Sequence, residues 1–225
     1  MLFADFDAIG AASTGGSAFH ETERIAVCVG RICSLPSPSP TRLRRTEETA
    51  LEHWRTPYLG LSDIPPGLDD FELTTFFSFS ACELRRIAAR RQPLHRLALA
   101  LHIGFLRMTG RKLDVFERIP KRLWTHLGQQ IGVASPELAT LRSLYTTRAQ
   151  TLYDHQQVAC DVLGFREMTE HQRRYVVRWL RETLPGRGGI VGLLPELKRW
   201  FYEHQILLIA NRELKRFIAE AVRDR

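Results

Sequence analysis

Residues 95–111, HRLALALHIGFLRMTGR, form a stretch that is apolar on nearly every side of a helix, with arginines only toward its ends. Leu97 and Phe105 lie on its main apolar stripe, and Ile103 covers a side that an amphipathic helix would leave polar. A helix that is apolar all round belongs at the centre of a bundle, and Gly110 is of the residue type that commonly ends a helix. We therefore expect the buried central helix of an all-α fold.

Helical patterns dominate the chain beyond about residue 54. Apolar residues recur at spacings of three and four, and no convincing pair of alternating strands is present. Several ends carry capping signals, such as Ser80, Thr169 with Gln172, and glycines that follow the apolar runs. The first predicted helix is capped by Asp69 or Asp70 and runs through Phe77. The other predicted helices cover residues 80–92, 94–108, 121–131, 136–145, 148–163, 169–184, 195–205 and 211–224.

Residues 1–50 differ in composition from the rest of the chain. Glycine, alanine and serine are frequent near the start, and Pro36, Pro38 and Pro40 alternate with serine, which favours an extended and solvated chain. We interpret this segment as a disordered leader, or as upstream sequence translated from a misplaced start. A boundary near residue 147 would divide the remainder into two consecutive helical-bundle subdomains with helix-turn-helix-like elements, residues 51–146 and 147–225.

The chain is basic, with a net charge of +7 and an isoelectric point near 9.6. Positive charge on the folded part favours polyanionic partners through phosphate neutralisation and counterion release. Charge alone is weak support, because many basic proteins of this size bind no particular polyanion. No secretory signal is visible, and no apolar run reaches the roughly 18 residues of a membrane span. The sequence therefore predicts a cytoplasmic protein without a membrane partner.

Groups of arginine and lysine mark the candidate DNA-contacting positions. Arg174, Arg178 and Arg181 follow the spacing i, i+4, i+7 and form a stripe on one helix face. A cationic stripe opposite an apolar one suits a helix that lies on a phosphate backbone, and guanidinium groups bind phosphate as forks. An ordinary solvated helix face is the alternative for each group taken singly. The candidates are Arg85, Arg86, Arg90, Arg91, Arg96, Arg107, Arg111, Arg174, Arg178, Arg181, Arg212, Lys215 and Arg216.

The last two predicted helices, residues 195–205 and 211–224, are joined by the apolar stretch ILLIA. A helix-turn-helix would place the second of these helices in a major groove of DNA. The alternative is an αα-hairpin used only for packing, which the lack of glycine in the connection favours slightly. The residues leave both interpretations open.

Motifs that would indicate an enzyme are missing from the sequence. No P-loop, GxGxxG, GxSxG or Cys/His nucleophile arrangement is present, and the eight histidines show no metal-ligand spacing. His102 is expected to be a hydrogen-bonded core histidine, and Cys82 and Cys160, which fall in helical patterns, are expected to be buried. The sequence thus predicts no catalytic site, no metal and no cofactor.

Two blocks of the chain resemble one known family. The run at residues 96–111 is similar to that family's R-L-G-F-A-L-Q-L-C-x-L-R-x-P-G, and the residues before it match the family's I-x-x-R-R-x-x-x-x-R. Arg148 and His155, followed by LGFR at residues 163–166, are similar to the family's arginine and histidine followed by L-G-F-R/Q. On these motifs the chain resembles the N-terminal DNA-binding region, DUF4158-like, of the Tn3-like transposases.

The resemblance implies helical subdomains that dock on duplex DNA at the terminal inverted repeats of a transposon, and it leaves a homodimer open. Ala98 and Thr109 stand where the family has glycine and proline, which are mild departures. Members of the family are several times longer and carry an RNase H-like domain with a DDE triad, so this chain is expected to be a fragment that binds DNA without cleaving it. A helical protein–protein interaction module and a non-functional transposase fragment are the alternatives.

Overall fold

The computed structural model describes residues 53–114, 118–134, 138–183 and 190–223, where every regular element is helical apart from one isolated bridge. The all-α prediction is therefore confirmed for this part of the chain, while the predicted leader, residues 1–50, lies outside it. The elements in chain order are η1, a short 3-10 helix (His53–Tyr58), and the α-helices α1 (Asp70–Phe77), α2 (Ala81–Ala88), α3 (Pro93–Thr109), α4 (Lys121–Ile131), α5 (Leu138–Thr147), α6 (Ala149–Leu163), α7 (Glu170–Thr183), α8 (Ile190–Glu203) and α9 (Asn211–Arg223).

Reciprocal capping fixes where the first α-helices begin. The Asp69 carboxylate accepts a hydrogen bond from the backbone N–H of Glu72 at 2.8 Å, and the Glu72 carboxylate accepts one from Asp69 N at 2.7 Å. Ser80 and Glu83 repeat this arrangement at the start of α2. Each capping box satisfies N–H groups that have no partner inside the helix, so both predicted starts are confirmed.

Helix α3 is the centre of the fold, as its sequence predicts. Its residues from 97 to 106 are buried on every side, and it ends at Gly110, whose φ of 69° lies in the left-handed region. Gly104 allows α1 to approach closely, because a Cβ at this position would lie 2.1 Å from Cδ1 of Phe77. Close packing of α1 on α3 therefore requires glycine at residue 104.

Helix α6 packs along α3 and covers much of its length. Ala159 and Cys160 are buried in this contact, as predicted for the cysteine. The prediction for Cys82 is wrong, because this residue is exposed. Cys82 lies in the first turn of α2 on a different face from Ile87, the buried residue of that helix.

A polar chain of three side chains crosses the core between α3, α5 and α6. The hydroxyl of Tyr145 lies 2.9 Å from Nε2 of His102 and 3.0 Å from Nδ1 of His155. Both histidines are buried, and Nδ1 of His102 has no hydrogen-bond partner within the described residues. We assign the tautomer in which His102 Nε2–H donates to Tyr145 and Tyr145 donates to His155, since it leaves no buried donor unpaired. His102 is a core histidine, as predicted, but only its Nε2 has a hydrogen-bond partner within the described residues.

Helix α8 begins at Ile190, one turn earlier than the start predicted at Pro195. Leu193, Leu197 and Phe201 are all fully buried and form one apolar stripe along the helix. Leu193 precedes the proline, and its burial favours the helical turn before Pro195 over the loss of the backbone hydrogen bond that a proline cannot donate. The predicted start is corrected accordingly.

The apolar connection between α8 and α9 runs extended between two other loops. Leu207 N donates to Arg166 O at 2.9 Å, Arg166 N donates to Gln205 O at 2.8 Å, and Leu208 N donates to Gly110 O at 2.8 Å. These bonds tie the connection to the ends of α3 and α6. The connection is therefore a buried, extended segment rather than a short exposed turn.

The buried apolar side chains of the described residues form two clusters. The first surrounds α3 and includes α1, α4 and α6, whereas the second lies among α7, α8 and α9. The chain crosses between them, because Leu59 belongs to the second cluster and Leu207 to the first. Helix α6 follows the boundary predicted near residue 147, but it packs in the first cluster. Phe165 is the last residue before α7 that belongs to the first cluster, so the helices of the second cluster begin after the predicted boundary. The division into two subdomains stays a prediction.

Candidate nucleic-acid interface

Helix α7 presents a continuous stripe of arginines. Arg174, Arg178 and Arg181 are exposed, while Val176 and Leu180 on the opposite face are fully buried. The helix sequence carries four arginines and two glutamates, so its charge is positive overall. The predicted spacing therefore does place three guanidinium groups on one accessible helix face.

Aromatic rings flank this stripe on one side. Tyr175 adjoins the stripe, and its side chain is 43% exposed. The guanidinium carbon of Arg178 lies 5.1 Å from the Tyr175 ring centroid, within the range of a cation–π contact. Tyr175 in turn lies 5.8 Å from the ring of Trp200 on α8. These contacts restrict Arg178 to the surface of the ring and reduce the entropy it would lose on binding a phosphate.

Arg173, the neighbour of this stripe, has a different role. It lies 3.1 Å from Glu220 of α9 and 3.9 Å from Glu170 one turn earlier, and its guanidinium lies over the Phe217 ring. The ion pair and the ring contact hold α7 against α9. Arg173 was not among the predicted DNA contacts, and its charge is balanced within the fold.

Helix α9 carries a second cationic face of mixed charge. Arg212, Lys215 and Arg216 are exposed, whereas Leu214 and Ile218 are fully buried in the second cluster. The cleft between the start of α7 and α9 is lined by arginines and glutamates together. The cleft beside the α7 stripe is likewise lined by Glu170 and Glu220, so acidic residues adjoin both cationic faces.

The arginines around α2 divide between exposed and anchored positions. Arg85, Arg86 and Arg91 are exposed, whereas Arg90 and Arg96 are half-buried. Arg96 donates from Nε to the carbonyl oxygen of Arg90 at 2.6 Å, which ties the start of α3 to the end of α2. The three exposed arginines form the accessible part of this group.

Arg107 is committed to contacts inside the fold. Its guanidinium pairs with Glu83 and donates to the carbonyl oxygens of Phe76 at 2.9 Å and Ser78 at 2.6 Å. Burial opposes ionisation of Glu83, but the hydrogen bonds from Ser80 and the charge of Arg107 outweigh it and hold the pKa of this carboxyl below its usual value. Arg107 thus fastens α3 to the segment between α1 and α2.

Arg111 has a neighbour that the sequence did not reveal. Its guanidinium lies 3.5 Å from the Gly60 carbonyl oxygen, and Lys198 Nζ donates to the adjacent carbonyl of Leu59 at 2.9 Å. Lys198 belongs to no basic stripe in the sequence, because it stands among the apolar residues of α8. Only the long-range packing of α8 against η1 brings the two cations together.

The described residues also limit other classes of site. Within them, no helix is long and apolar enough to span a bilayer, and no three histidine, cysteine or acidic side chains are grouped as a metal would require. The fold and these surfaces define a basic, all-helical protein with arginine-bearing helix faces.

The family of the chain follows from comparison with known sequences. The family model described as "Domain of unknown function (DUF4158)" matches residues 58–221, so the chain belongs to this family. The recognition made from the sequence motifs is confirmed, since curated relatives are transposases of Tn3-family elements.

Three relatives illustrate the match. The chain is 46% identical over 172 residues to the transposase for insertion sequence element IS1071 in transposon Tn5271 of Comamonas testosteroni, covering 76% of this chain and 18% of the relative. It is 28% identical over 153 residues to the transposase for transposon Tn1546 of Enterococcus faecium, covering 68% and 15%. It is 30% identical over 165 residues to the transposase for transposon Tn21 of Escherichia coli, covering 71% and 16%. The chain thus spans less than a fifth of the length of these relatives.

Proposed function

We propose that this chain is a duplex-DNA-binding module of a Tn3-like transposase that recognises the terminal inverted repeats of its transposon. The observation that carries the proposal is the exposed stripe of Arg174, Arg178 and Arg181 on α7. The transposase relatives support DNA as the partner, because a transposase must engage the ends of the element that it moves. The module binds DNA in the cytoplasm, and a catalytic DDE domain outside this chain supplies strand cleavage.

The length of the stripe suits a phosphate backbone. Residues i and i+7 lie about 10 Å apart along an α-helix, given a rise of about 1.5 Å per residue. One strand of B-DNA advances about 3.4 Å per phosphate along its axis, so about three phosphates fall within that length. Three guanidinium groups on long side chains can therefore each reach one phosphate of a duplex whose axis runs along α7.

Phosphate contacts position the protein, but they do not read sequence. We assign base reading to α9, where Arg212, Lys215 and Arg216 project from a helix anchored by buried apolar residues. Arginine and lysine bind the O6 and N7 atoms of guanine in the major groove. Arg85, Arg86 and Arg91 on α2 would add phosphate contacts farther along the duplex. Half-buried Arg90, Arg96 and Arg111 would contact phosphates at the edges of the interface. Arg107, whose hydrogen bonds lie inside the fold, would not contact DNA.

The proposal is tested by fluorescence anisotropy with an inverted-repeat duplex and a scrambled duplex of equal length, between 50 and 200 mM salt. The triple variant R174A/R178A/R181A should weaken binding to both duplexes alike. It should also lower the slope of log K against log salt by about 2.7, since each phosphate contact contributes about 0.9. The matched control R118A/K121A/R122A removes the same charge from exposed cations around α4 and should leave most of that slope intact.

Three results would contradict the proposal. A flat salt dependence of the wild-type chain would exclude electrostatic docking. Loss of binding to the inverted repeat alone would move the α7 stripe from phosphate contacts to base reading. A stable dimer in analytical ultracentrifugation without affinity for either duplex would favour the alternative, a helical protein–protein interaction module.

A further inference from the structure

Two cations meet at the turn between η1 and α1. Arg111 approaches the Gly60 carbonyl oxygen at 3.5 Å from the end of α3, and Lys198 donates to the Leu59 carbonyl oxygen at 2.9 Å from α8. Neither cation forms an ion pair with a carboxylate of the described residues. The turn therefore holds two positive charges whose hydrogen-bond partners are neutral.

The backbone keeps this arrangement rigid. Gly60 N donates to the Thr109 carbonyl oxygen at 2.8 Å, and Gly60 has a φ of 79° that favours glycine. A Cβ at this residue would lie 3.2 Å from Cε and Nζ of Lys198. The absence of a side chain at Gly60 thus lets the lysine lie directly against the turn.

The next residue of α8, Arg199, contacts η1 rather than the Gly60 turn. Arg199 donates from Nη2 to Thr56 Oγ1 of η1 at 3.3 Å. Its Nε is buried and has no hydrogen-bond partner within the described residues. An unpaired buried donor on a charged group is costly, but a phosphate of a duplex does not reach a buried Nε, so we assign Arg199 to the contact between α8 and η1.

The cation pair is unfavourable without an anion. Burial lowers the pKa of Lys198, and the nearby charge of Arg111 lowers it further. The acids in the adjoining cleft already have partners, because Glu167 pairs with Lys112 at 2.8 Å and Asp114 accepts a hydrogen bond from Gln156 at 3.3 Å. An anion bound between the two cations would relieve their repulsion.

We propose that Arg111 and Lys198 together bind one phosphate of the DNA backbone at the Gly60 turn. The inference rests on the proposed function, and it adds Lys198 to the DNA-contacting residues. Both side chains are half-buried, so the phosphate would be held at the surface, where a duplex can reach it. Because this site links η1, α3 and α8, the duplex would contact both apolar clusters at once.

The salt dependence of DNA binding tests the shared phosphate. In the full chain, the double variant R111Q/K198Q should weaken binding to inverted-repeat and scrambled duplexes equally. Its loss of affinity relative to the wild-type chain should be about eightfold larger at 0.1 M salt than at 1 M. Its slope should fall by about 0.9, the contribution of one phosphate. The charge-preserving variant R111K/K198R should retain the wild-type slope, and the matched control R118Q/K121Q should change it little. A fall near 1.8 would mean two separate phosphates, and an unchanged slope would mean none; either overturns the shared site.

Chemical protection of Lys198 separates this inference from the proposed function. Lysine acylation, quantified by mass spectrometry, should be slowed at Lys198 by inorganic pyrophosphate and by duplex DNA, while exposed Lys121 serves as the pyrophosphate control. Protection by pyrophosphate without protection by DNA would leave an anion site but overturn the DNA assignment. Lack of protection by either would overturn the site. If the α7 triple variant loses DNA binding while Lys198 stays unprotected, the proposed function stands and this inference fails.

Discussion

Acidification from pH 7 to pH 5 is expected to lower the free energy of unfolding by about 4 kcal/mol. His102 and His155 are buried as neutral groups in the chain that Tyr145 links. Burial lowers the pKa of His102 to about 3, with a smaller effect from His155. Burial also lowers the pKa of His155 to about 4, and the charges of His95 and Arg90 add to that effect while Asp154 opposes it. Below pH 6.5 the folded chain thus binds fewer protons than the unfolded chain.

The magnitude follows from proton linkage. An unfolded histidine with a pKa of about 6.5 gains roughly 2 kcal/mol from protonation at pH 5, whereas a folded one with a pKa near 3 or 4 gains almost nothing. Two such histidines give about 4 kcal/mol. The stability they contribute is complete above about pH 6.5 and is lost as the pH falls toward the folded pKa values. Ordinary carboxylates titrate near pH 4 and contribute little within this window.

Urea unfolding followed by tryptophan fluorescence at pH 7, 6 and 5 measures this loss. The double variant H102Q/H155Q should lose much less stability than the wild-type chain between pH 7 and pH 5, because its amides do not titrate, even if its stability at pH 7 is lower. The remaining loss comes from groups such as His95, whose pKa is also lowered, mainly by burial. The control H171Q removes an exposed histidine on α7 and should keep the wild-type dependence. The reasoning is refuted if the wild-type chain loses less than about 1 kcal/mol, since two neutral buried histidines must produce more.

Two further predictions follow from the packing. Gly104→Ala should lower the free energy of unfolding by about 1–3 kcal/mol, because its Cβ overlaps the Phe77 ring; the control Gly192→Ala, which meets nothing within 4 Å, should be neutral or slightly stabilising in urea titrations. Cys82 should react rapidly with a thiol reagent in the folded chain, whereas Cys160 should react slowly because burial hides it and raises its pKa; equal rates by mass spectrometry would contradict the packing of α6 on α3.

Local signals in the sequence predicted most helix boundaries. The capping residues Asp69 and Ser80, and the glycines at residues 110, 132 and 164, act within one turn of the position they define. Such signals depend on a few neighbouring residues, so the sequence contains all the information that they need. The uniform apolarity of α3 likewise predicted its central position without knowledge of its neighbours.

Contacts between distant segments could not be predicted in this way. The pairing of Leu207 with Arg166, the internal bonding of Arg107 and the position of Lys198 beside Arg111 all depend on how helices pack. The start of α8 was misplaced for a similar reason, because burial of Leu193 decided it against the local preference of a proline. Tertiary packing thus accounts for the differences between the predicted and observed elements.

The structure sorts the arginines by whether the fold already uses their charge. Arg107 and Arg173 contact carboxylates and join helices, so their removal would weaken the fold before it altered any surface. Arg174 and Arg178 differ, because they project from a helix anchored by its opposite face, and Arg178 lies against an exposed aromatic ring. A cation without a carboxylate partner in the fold breaks no ion pair when it binds phosphate. Binding then costs only the loss of the hydration of that cation and of the phosphate. Substitutions of Arg174 and Arg178 should therefore separate DNA affinity from stability more cleanly than substitutions of Arg107 or Arg173.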